Sequence, residues 1–354
     1  MDIQITKTTA PKQKPDQNAL GFGRYFTDHM FMMDYNPENG WHDARIVPFQ
    51  NLSLSPAATV FHYGAEIFEG LKAYRRPDGQ VQLFRPDQNF DRMNNSAERL
   101  TLPQLDKAFA LDALKTLVSL EKDWVPSLPG TSLYIRPFMF GSDPFLGLHT
   151  IQKAMYVVIL SPVGSYYKEG LNPVKIMIET EDVRAVRGGT GYAKCGGNYA
   201  ASNRAGHKAE EKGYSQVLWL DGVERKYIEE VGAMNVMFEI GDTIVTPRLT
   251  GSVLPGITRK SCIELLREKG YKVEERLLSV DELKTAMREG TLTEAWGCGT
   301  AAVVSPIGEL SYQDQKYTIA GGRIGKLTQW LYDTLTGIQW GKTADTHNWT
   351  TLVP

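Results

Sequence analysis

Short apolar runs alternate with polar turns through the first half of the chain, and two stretches there carry apolar residues at helical spacing. The runs are rich in β-branched and aromatic residues, which is typical of strands. The helical stretches lie at about residues 87–98 and 106–122. This mixture predicts an α+β arrangement for the N-terminal part. The strand-like runs are RYFTDHMFMMDY, GLKAYRR, QVQLFR, SLYIRPFMF and KAMYVVILSPV.

The second half repeats this mixture. A helix is predicted from about Tyr199 to Lys212, ended by Gly213, and the strands QVLWL, KYIEE and MNVMFEI follow it. Later helices are predicted after LPGIT and after Ser279, where Glu282 stands at the spacing of a capping box. A last amphipathic helix is predicted in IGKLTQWLYDTL.

The stretch GSYYKEGLNP carries glycine, proline and asparagine between two apolar strands, which favours a connection between domains. A chain of 354 residues also exceeds what one core usually holds. We therefore predict an N-terminal domain at 1–163, a connection at 164–175 and a C-terminal domain at 176–354.

The composition narrows the classes of partner. A net charge of −2, a pI near 6.3 and scattered lysines and arginines argue against nucleic acid or an anionic membrane as the main partner. Apolar runs are of strand length, far short of the ~20 residues of a membrane-spanning helix. Three scattered cysteines and six histidines without ligand spacing predict no disulfide framework and no metal site. A small-molecule substrate and a cytoplasmic location are expected.

The segment RGGTGYAKCGGNYAAS places Lys194 between two groups of glycines. One interpretation is a phosphate loop, but Ala193 and Cys195 stand where GxxxxGK[ST] requires glycine and a hydroxyl residue. A second is an ordinary solvated lysine in a tight turn. A third is a lysine that forms a Schiff base, whose amine must become neutral near pH 7 and whose neighbours must let a flat ring approach closely.

The third interpretation requires a pyridoxal phosphate site elsewhere in the chain, with a hydroxyl for the ring oxygen, a carboxylate for the pyridine nitrogen and a cup for the phosphate. Tyr199 and Glu230 supply the first two groups. The cup requires free N–H groups at a helix start, a hydroxyl group and an arginine. Its candidates are Gly256, Ile257, Thr258, Thr300 and Arg92.

Taken together, these residues lie in motifs that resemble the branched-chain amino acid aminotransferases of the class IV pyridoxal-phosphate family. The matching motifs, in family order over about residues 20–330, are FTDHM, FHYGAEIFEGLKAY, LFRPDQNFDRM, LYIRP, GGTGYAKCGGNYAAS, EVGAMN, LPGITR and GCGTAAVVSP. The resemblance implies a two-domain α+β and α/β protein of fold type IV. Its smaller N-terminal α+β domain would precede a larger C-terminal pseudo-barrel domain that binds the cofactor.

The resemblance also implies roles. Lys194 would be the catalytic residue, joined to pyridoxal 5'-phosphate and moving a proton between the substrate Cα and the C4′ atom of the cofactor. Tyr199 would contact the ring oxygen and Glu230 the pyridine nitrogen. The phosphate would be held by Arg92, Ile257, Thr258 and Thr300. The implied reaction moves the amino group of L-leucine, L-isoleucine or L-valine to 2-oxoglutarate, giving glutamate.

Further positions match residues that line the substrate pocket of the family. Their apolar and aromatic character suits an aliphatic side chain, Arg136 would meet the second carboxylate of glutamate, and the amides of Thr300 and Ala301 would hold the α-carboxylate. The family also forms homodimers, in which Leu146 and Leu148 of the loop 141–148 would face the neighbouring site. The remaining pocket positions are Phe22, Tyr63, Phe68, Tyr134, Tyr166 and Met234.

Two kinds of alternative stay open at this point. A D-amino acid aminotransferase or an aminodeoxychorismate lyase would share the fold but change the reaction; the aromatic pocket and the Tyr134-x-Arg136 pattern count against both. A non-catalytic nucleotide-binding protein would use the glycines as a phosphate cradle, which the incomplete phosphate-loop motif disfavours.

Overall fold

The computed structural model describes residues 1–164 and 171–354, so part of the predicted connection at 164–175 lies outside the described residues. The described chain forms two compact units. The first contains residues 1–164 together with Ala193–Gly196 and Gly337–Pro354, and the second contains most of the remainder. Neither unit is one continuous range, and the boundaries predicted from the sequence stay a prediction.

Both units mix strands and helices. The strands are β1 (Gln4–Ile5), β2 (His29–Asn36), β3 (Gly40–Pro48), β4 (Glu66–Phe68), β5 (Leu71–Arg75), β6 (Val81–Phe84), β7 (Ser132–Gly141), β8 (Ala154–Val163), β9 (Val174–Ile178), β10 (Gln216–Leu220), β11 (Ile228–Val231), β12 (Asn235–Ile240), β13 (Thr243–Pro247), β14 (Lys272–Arg276), β15 (Leu292–Gly299), β16 (Val303–Tyr312), β17 (Gln315–Thr318) and β18 (Thr350–Val353). The α-helices are α1 (Thr59–Tyr63), α2 (Pro86–Arg99), α3 (Lys107–Leu120), α4 (Gly196–Glu211), α5 (Ile257–Glu268), α6 (Val280–Glu289) and α7 (Lys326–Gln339).

The first unit is built on a sheet with the strand order β1-β3-β2-β8-β7-β5-β6-β18, and β4 pairs with β7 beside β5. One face of the sheet and the helices α2 and α3 enclose a core of buried apolar side chains. Helix α3 begins where Asp106 accepts a hydrogen bond from the Phe109 N–H at 2.9 Å, as an N-cap residue does. Its buried face includes Leu114 and Leu117. Such burial contributes about 25 cal/mol for each Å² of apolar surface removed from water.

The second unit has a sheet with the order β11-β10-β9-β16-β15-β12-β13-β14, and β17 pairs with β16. Helix α6 starts at the predicted cap, because Ser279 accepts a hydrogen bond from the Glu282 N–H at 3.1 Å. The Glu282 carboxylate pairs with Arg276 rather than completing a capping box. Its two oxygens lie 2.5 and 3.0 Å from the Arg276 guanidinium.

The predicted helices are close to those observed. Helix α4 begins at Gly196, three residues before the predicted start at Tyr199, because two glycines at a helix start give no local signal of helix. Gly213, with φ of 80°, follows its end as predicted, in the left-handed conformation that commonly ends a helix. Among the helices of residues 1–164 and 171–354, none combines the length and the apolar character needed to cross a bilayer.

Candidate active site

The backbone of Lys194 is held on both sides within the first unit. Its N–H donates a hydrogen bond to Ser96 Oγ at 2.9 Å, from the buried face of α2. Its carbonyl accepts one from the Phe68 N–H at 2.9 Å, from strand β4. Both partners lie far from the lysine in sequence, and together they fix where its side chain starts.

The Lys194 amine lies in an environment that disfavours its charged form. Its Nζ atom is 4.9 Å from the centre of the Phe68 ring. Desolvation, followed by the nearby charge of Arg92, lowers the pKa of Lys194 to about 8, which is the direction expected of a buried amine. Nucleophilic attack on an aldehyde requires a neutral amine, and the lowered pKa of Lys194 increases the neutral fraction, in the direction that the sequence interpretation demanded.

Arg92 lies beside this lysine in a buried ion pair that the sequence interpretation did not include. Its Nε and one terminal nitrogen donate to the two oxygens of Glu69 at 2.7 and 2.9 Å, and Asn89 donates to the same carboxylate at 2.7 Å. Burial would raise the pKa of Glu69, but Arg92, Lys194 and Asn89 together hold it below its ordinary value. Glu69 therefore fixes the guanidinium that was predicted to contact phosphate.

Strand β7 presents a polar pair among aromatic rings. One terminal nitrogen of Arg136 donates to the Tyr134 hydroxyl at 3.0 Å, and its guanidinium carbon lies 4.8 Å from the Phe68 ring centre. The Phe22 ring meets Tyr134 edge-on at 4.9 Å between centres, a favourable geometry for two rings. Gly70 makes this packing possible, since a Cβ there would collide with the Tyr134 hydroxyl. Four predicted pocket residues are thus brought together.

Arg136 still has hydrogen-bonding capacity to offer. Its Nε atom is buried and has no hydrogen-bond partner among the residues that the structure describes. A buried donor of this kind is costly unless something accepts from it. A carboxylate would bind this guanidinium strongly, because the two groups have opposite charges and form charge-assisted hydrogen bonds.

The loop after β7 carries the exposed apolar residues that the family resemblance singled out. The side chains of Leu146 and Leu148 are 65% and 86% exposed. The Tyr63 hydroxyl, at the end of α1, accepts a hydrogen bond from the Gly147 N–H of this loop at 3.0 Å. Tyr166, another predicted pocket residue, lies outside the described residues.

In the second unit, Glu230 is a buried carboxylate with fixed partners. Its Oε1 atom accepts from the Leu254 N–H at 2.7 Å, and its Oε2 atom lies 3.1 Å from Arg184 Nε. Arg184 in turn donates to the carbonyls of Gly191 and Ser252. An ion pair of this kind favours an ionised carboxylate.

The neighbouring Glu229 has a different environment because successive strand residues face opposite ways. Burial raises the pKa of Glu229 above its ordinary value, against a hydrogen bond from Ser252 and the charge of Arg184. Glu230 forms an ion pair with Arg184, whereas burial raises the pKa of Glu229. Both observations agree with the choice of Glu230 as the partner of a protonated ring nitrogen. The role itself stays a prediction.

Helix α5 begins in a way that fits a phosphate group. Gly256 stands at the N-cap position, and no side chain of the described residues caps the helix there. A Cβ at Gly256 would collide with Asn235 Oδ1, so the backbone approach depends on glycine. The amides of Ile257 and Thr258 open the helix, where the positive end of the dipole favours an anion.

The hairpin of β15 and β16 contains the other predicted anion-binding turn. Gly299 pairs with Val303, and Thr300 and Ala301 lie in the turn between them. Val303 has φ of 62°, a conformation that β-branched residues rarely adopt and that is often found at functional sites. The Met234 side chain packs against this hairpin, where a Cβ at Gly299 would meet it at 3.2 Å. The last predicted cofactor residue, Tyr199, lies in the first turn of α4 and is partly exposed.

Sequence reasoning missed several residues that support these groups. Glu69, Ser96 and Glu66 contact the lysine segment or Arg92, and Arg184 pairs with Glu230. Glu69 could have been found from the sequence, because its carboxylate interrupts an apolar strand region directly before Gly70. Arg184 could not have been found in this way, because it lies far from Glu230 along the chain and in a stretch rich in polar residues.

Comparison with known proteins agrees with this arrangement. Residues 66–310 match the family profile of amino-transferase class IV. The chain belongs to this family. It is 56% identical over 351 residues to branched-chain-amino-acid aminotransferase 2 of Bacillus subtilis (strain 168), in a match that covers 99% of this chain and 97% of that protein.

Solved structures show the same similarity. The Escherichia coli branched-chain amino acid aminotransferase matches with a TM-score of 0.76 and 26% identity, over 92% of this chain and 99% of that one. A second solved branched-chain amino acid aminotransferase, complexed with N-(5'-phosphopyridoxyl)-L-glutamate, matches with a TM-score of 0.75 and 25% identity, over 92% and 98% of the two chains.

These findings confirm the predicted family and the two-domain fold of type IV. Class IV aminotransferases depend on pyridoxal phosphate, so the predicted cofactor and the predicted transaminase activity are confirmed as well. Relatives similar along the whole chain support branched-chain amino acid aminotransferase function. The residue roles, which no comparison tests, stay predictions.

Proposed function

We propose that the chain exchanges the amino group between L-leucine, L-isoleucine or L-valine and 2-oxoglutarate, giving the branched 2-oxo acid and L-glutamate. The observation that carries this proposal is the face around β7, where aromatic side chains surround a guanidinium with an unused donor. Aromatic walls bury an aliphatic side chain favourably, and Arg136 receives the second carboxylate of glutamate, which an apolar pocket alone would reject. A similar protein has been solved with a phosphopyridoxyl-glutamate compound.

The residues of the candidate site fit pyridoxal phosphate. When bound, the cofactor supplies an electron sink that stabilises negative charge on the substrate Cα. Lys194, held by Ser96 and Phe68, takes the Cα proton and returns it at the C4′ position. Glu230, paired with Arg184, keeps a negative charge for the ring nitrogen.

The remaining roles concern binding. We assign Tyr199 to the ring oxygen, the Thr300 and Ala301 amides to the α-carboxylate, and the aromatic residues and Met234 to the aliphatic side chain. The phosphate is assigned to four residues, of which two lie at an uncapped helix start and one is fixed by Glu69. The four are Arg92, Ile257, Thr258 and Thr300.

The proposal is tested by assaying the purified holoenzyme side by side with L-leucine, D-alanine and aminodeoxychorismate. Leucine with 2-oxoglutarate is expected to give the largest kcat/KM, because the pocket is apolar and aromatic. A preference for either of the other two substrates would show that the fold serves a different reaction.

The Arg136→Met variant extends this test to the amino acceptor. It keeps the apolar stem but removes the charge that meets the second carboxylate, so the KM for 2-oxoglutarate is expected to rise about 10- to 100-fold. The KM for leucine should change far less. Arg288→Met, at an exposed helix position, is the matched control. An equal loss for both substrates would mean that Arg136 supports the fold rather than the acceptor.

We also propose that the chain forms a homodimer in the cytoplasm. Phe145, Leu146 and Leu148 are 49%, 65% and 86% exposed on one loop, and an apolar patch of this kind favours a protein partner. Three unpaired cysteines agree with a reducing compartment, which cell fractionation can check. Light scattering is expected to give twice the 39.6 kDa chain mass.

A pair of variants tests where the subunits meet. Leu148→Glu should weaken the dimer, because it puts a charge into the exposed apolar loop. Val223→Glu, at another exposed apolar position, should leave the dimer unchanged. An unaffected dimer in Leu148→Glu would place the interface elsewhere.

A further inference from the structure

Strand β4 faces the lysine segment with two residues. Glu66 and Phe68 are two apart, so their side chains lie on the same side of the strand. The Phe68 N–H donates to the Lys194 carbonyl at 2.9 Å, and the Gly196 N–H donates to the Glu66 carboxylate. The two bonds flank the lysine and tie its segment to the sheet.

The Gly196 backbone and the Glu66 carboxylate lie in direct contact. A Cβ built at Gly196 would overlap the Glu66 Oε1 atom, so any other residue would push the carboxylate away from the N–H that it accepts from. This glycine is part of the GGN that follows the lysine. The carboxylate and the glycine therefore form one fitted contact.

Glu66 also shares a face of the sheet with Arg136. Strand β4 pairs with β7 so that Glu66 lies opposite Phe140 and Phe68 opposite Phe138. Because alternate residues of a strand share a face, both positions belong to the face that carries Arg136. Burial raises the pKa of Glu66, and the Gly196 N–H and the Arg136 guanidinium act against that rise. When Glu66 is ionised, it therefore gives the Arg136 guanidinium a negative neighbour before any substrate carboxylate arrives.

We propose that Glu66 is a positioning and specificity-determining residue. Its carboxylate holds the Lys194–Gly196 segment in place, and its charge sets how strongly Arg136 attracts the second carboxylate of a dicarboxylic substrate. The proposal rests on the proposed function, because it assigns Arg136 to that carboxylate.

Two substitutions of Glu66 separate the positioning role from the specificity role. An amide oxygen can replace the carboxylate as acceptor for the Gly196 N–H, so glutamine preserves the positioning role. Glutamine carries no charge, so it removes the repulsion between Glu66 and an incoming carboxylate and leaves the field of Arg136 unopposed. Leucine removes both the acceptor and the charge.

The test uses the holoenzyme with L-valine as amino donor and two acceptors, 2-oxoglutarate and 4-methyl-2-oxopentanoate. The pH is about 8, well above the ordinary pKa of a glutamate, because the pKa of Glu66 is raised. In Glu66→Gln, the KM for 2-oxoglutarate is expected to fall about three- to tenfold while the KM for the apolar acceptor stays unchanged. In Glu66→Leu, kcat should fall about tenfold with both acceptors, because the Gly196 N–H loses its partner. The exposed Glu98→Gln is the control.

The outcomes are distinct. If Glu66→Gln leaves the ratio of the two acceptor KM values unchanged, or raises the KM for 2-oxoglutarate, the specificity role is overturned. If Glu66→Leu keeps the wild-type kcat, or if Glu66→Gln loses as much kcat as Glu66→Leu, the positioning role is overturned. Should Glu66→Leu fail to fold, Glu66→Gln still decides the specificity role, and a large loss of kcat in Glu66→Gln would overturn the positioning role. A wild-type enzyme without valine transamination would instead defeat the proposed function, and this is measured first.

Discussion

Replacing Lys194 by alanine is expected to abolish transamination, with turnover reduced by about 10⁴-fold or more, because this amine is both the Schiff-base nucleophile and the proton carrier. The lowered pKa of Lys194, about 8, is part of the reason. At pH 7 an amine with such a pKa is neutral in about a tenth of the molecules, whereas an ordinary lysine is neutral in roughly one molecule in 3000.

A low pKa does not by itself identify the residue, since burial also lowers the pKa of Lys72 to about 8. Lys72 lies on β5, opposite Tyr134 of β7, and does not stand between two groups of glycines. Borohydride reduction of the holoenzyme followed by peptide mapping therefore separates the two. We expect the reduced cofactor on the peptide that contains Lys194.

The controls for this prediction use single-turnover absorbance changes with leucine. Lys212→Ala, at an exposed position, should keep the wild-type spectrum and rate. Lys194→Ala should bind cofactor without the absorbance of a Schiff base and show no half-reaction. Label on Lys72, or residual turnover in Lys194→Ala well above about 10⁻⁴ of wild type, would contradict the assignment.

Local features of the sequence predicted much of the fold. The helices α2 and α3 were expected within a few residues of their observed ends, because the apolar spacing that predicts each helix lies within a single segment of the sequence. The start of α6 at Ser279 follows from the same kind of local signal. Where the signal was not local, as at Gly196, the predicted helix began too late.

The candidate site was likewise predicted in part: local motifs identified its main residues, and their distant partners were missed. Residues that lie within family motifs, such as Lys194 and Glu230, were predicted, and the structure shows a lowered pKa at one and an ion pair at the other. Their partners were not predicted, because pairs such as Glu230 with Arg184 join positions far apart in the chain. Hydrophobic periodicity specifies which face of an element is buried and carries no information about which distant charge meets it there.

Disrupting the Glu69–Arg92 ion pair is expected to cause the second large effect, a loss of stability. Both side chains are almost fully buried, at 1% and 6% exposure of the residue. Removing one partner leaves an uncompensated buried charge, so Glu69→Ala is expected to lower the free energy of unfolding by about 3–5 kcal/mol. The exposed pair of Lys107 and Asp91 is the matched control, and Asp91→Ala should cost less than about 1 kcal/mol.

The direction of the pKa shift of Glu69 determines the pH at which the unfolding of Glu69→Ala is measured. The pKa of Glu69 is held below its ordinary value. The stabilisation by its ionised form is therefore fully present above the ordinary pKa of a glutamate and is lost as the pH falls through the lowered pKa. Urea unfolding at a pH of about 7.5 reports the whole effect.

Replacing both partners separates stability from cofactor binding. Glu69→Leu combined with Arg92→Met leaves no unpaired charge, so the free energy of unfolding should return to within about 2 kcal/mol of wild type, measured without cofactor for every variant. Cofactor affinity, measured by absorbance titration, should not return, because the guanidinium assigned to the phosphate is gone. If the losses of stability in Glu69→Leu and Arg92→Met alone simply add in the double variant, the two residues act independently. Restored affinity would mean that Arg92 serves only to neutralise Glu69.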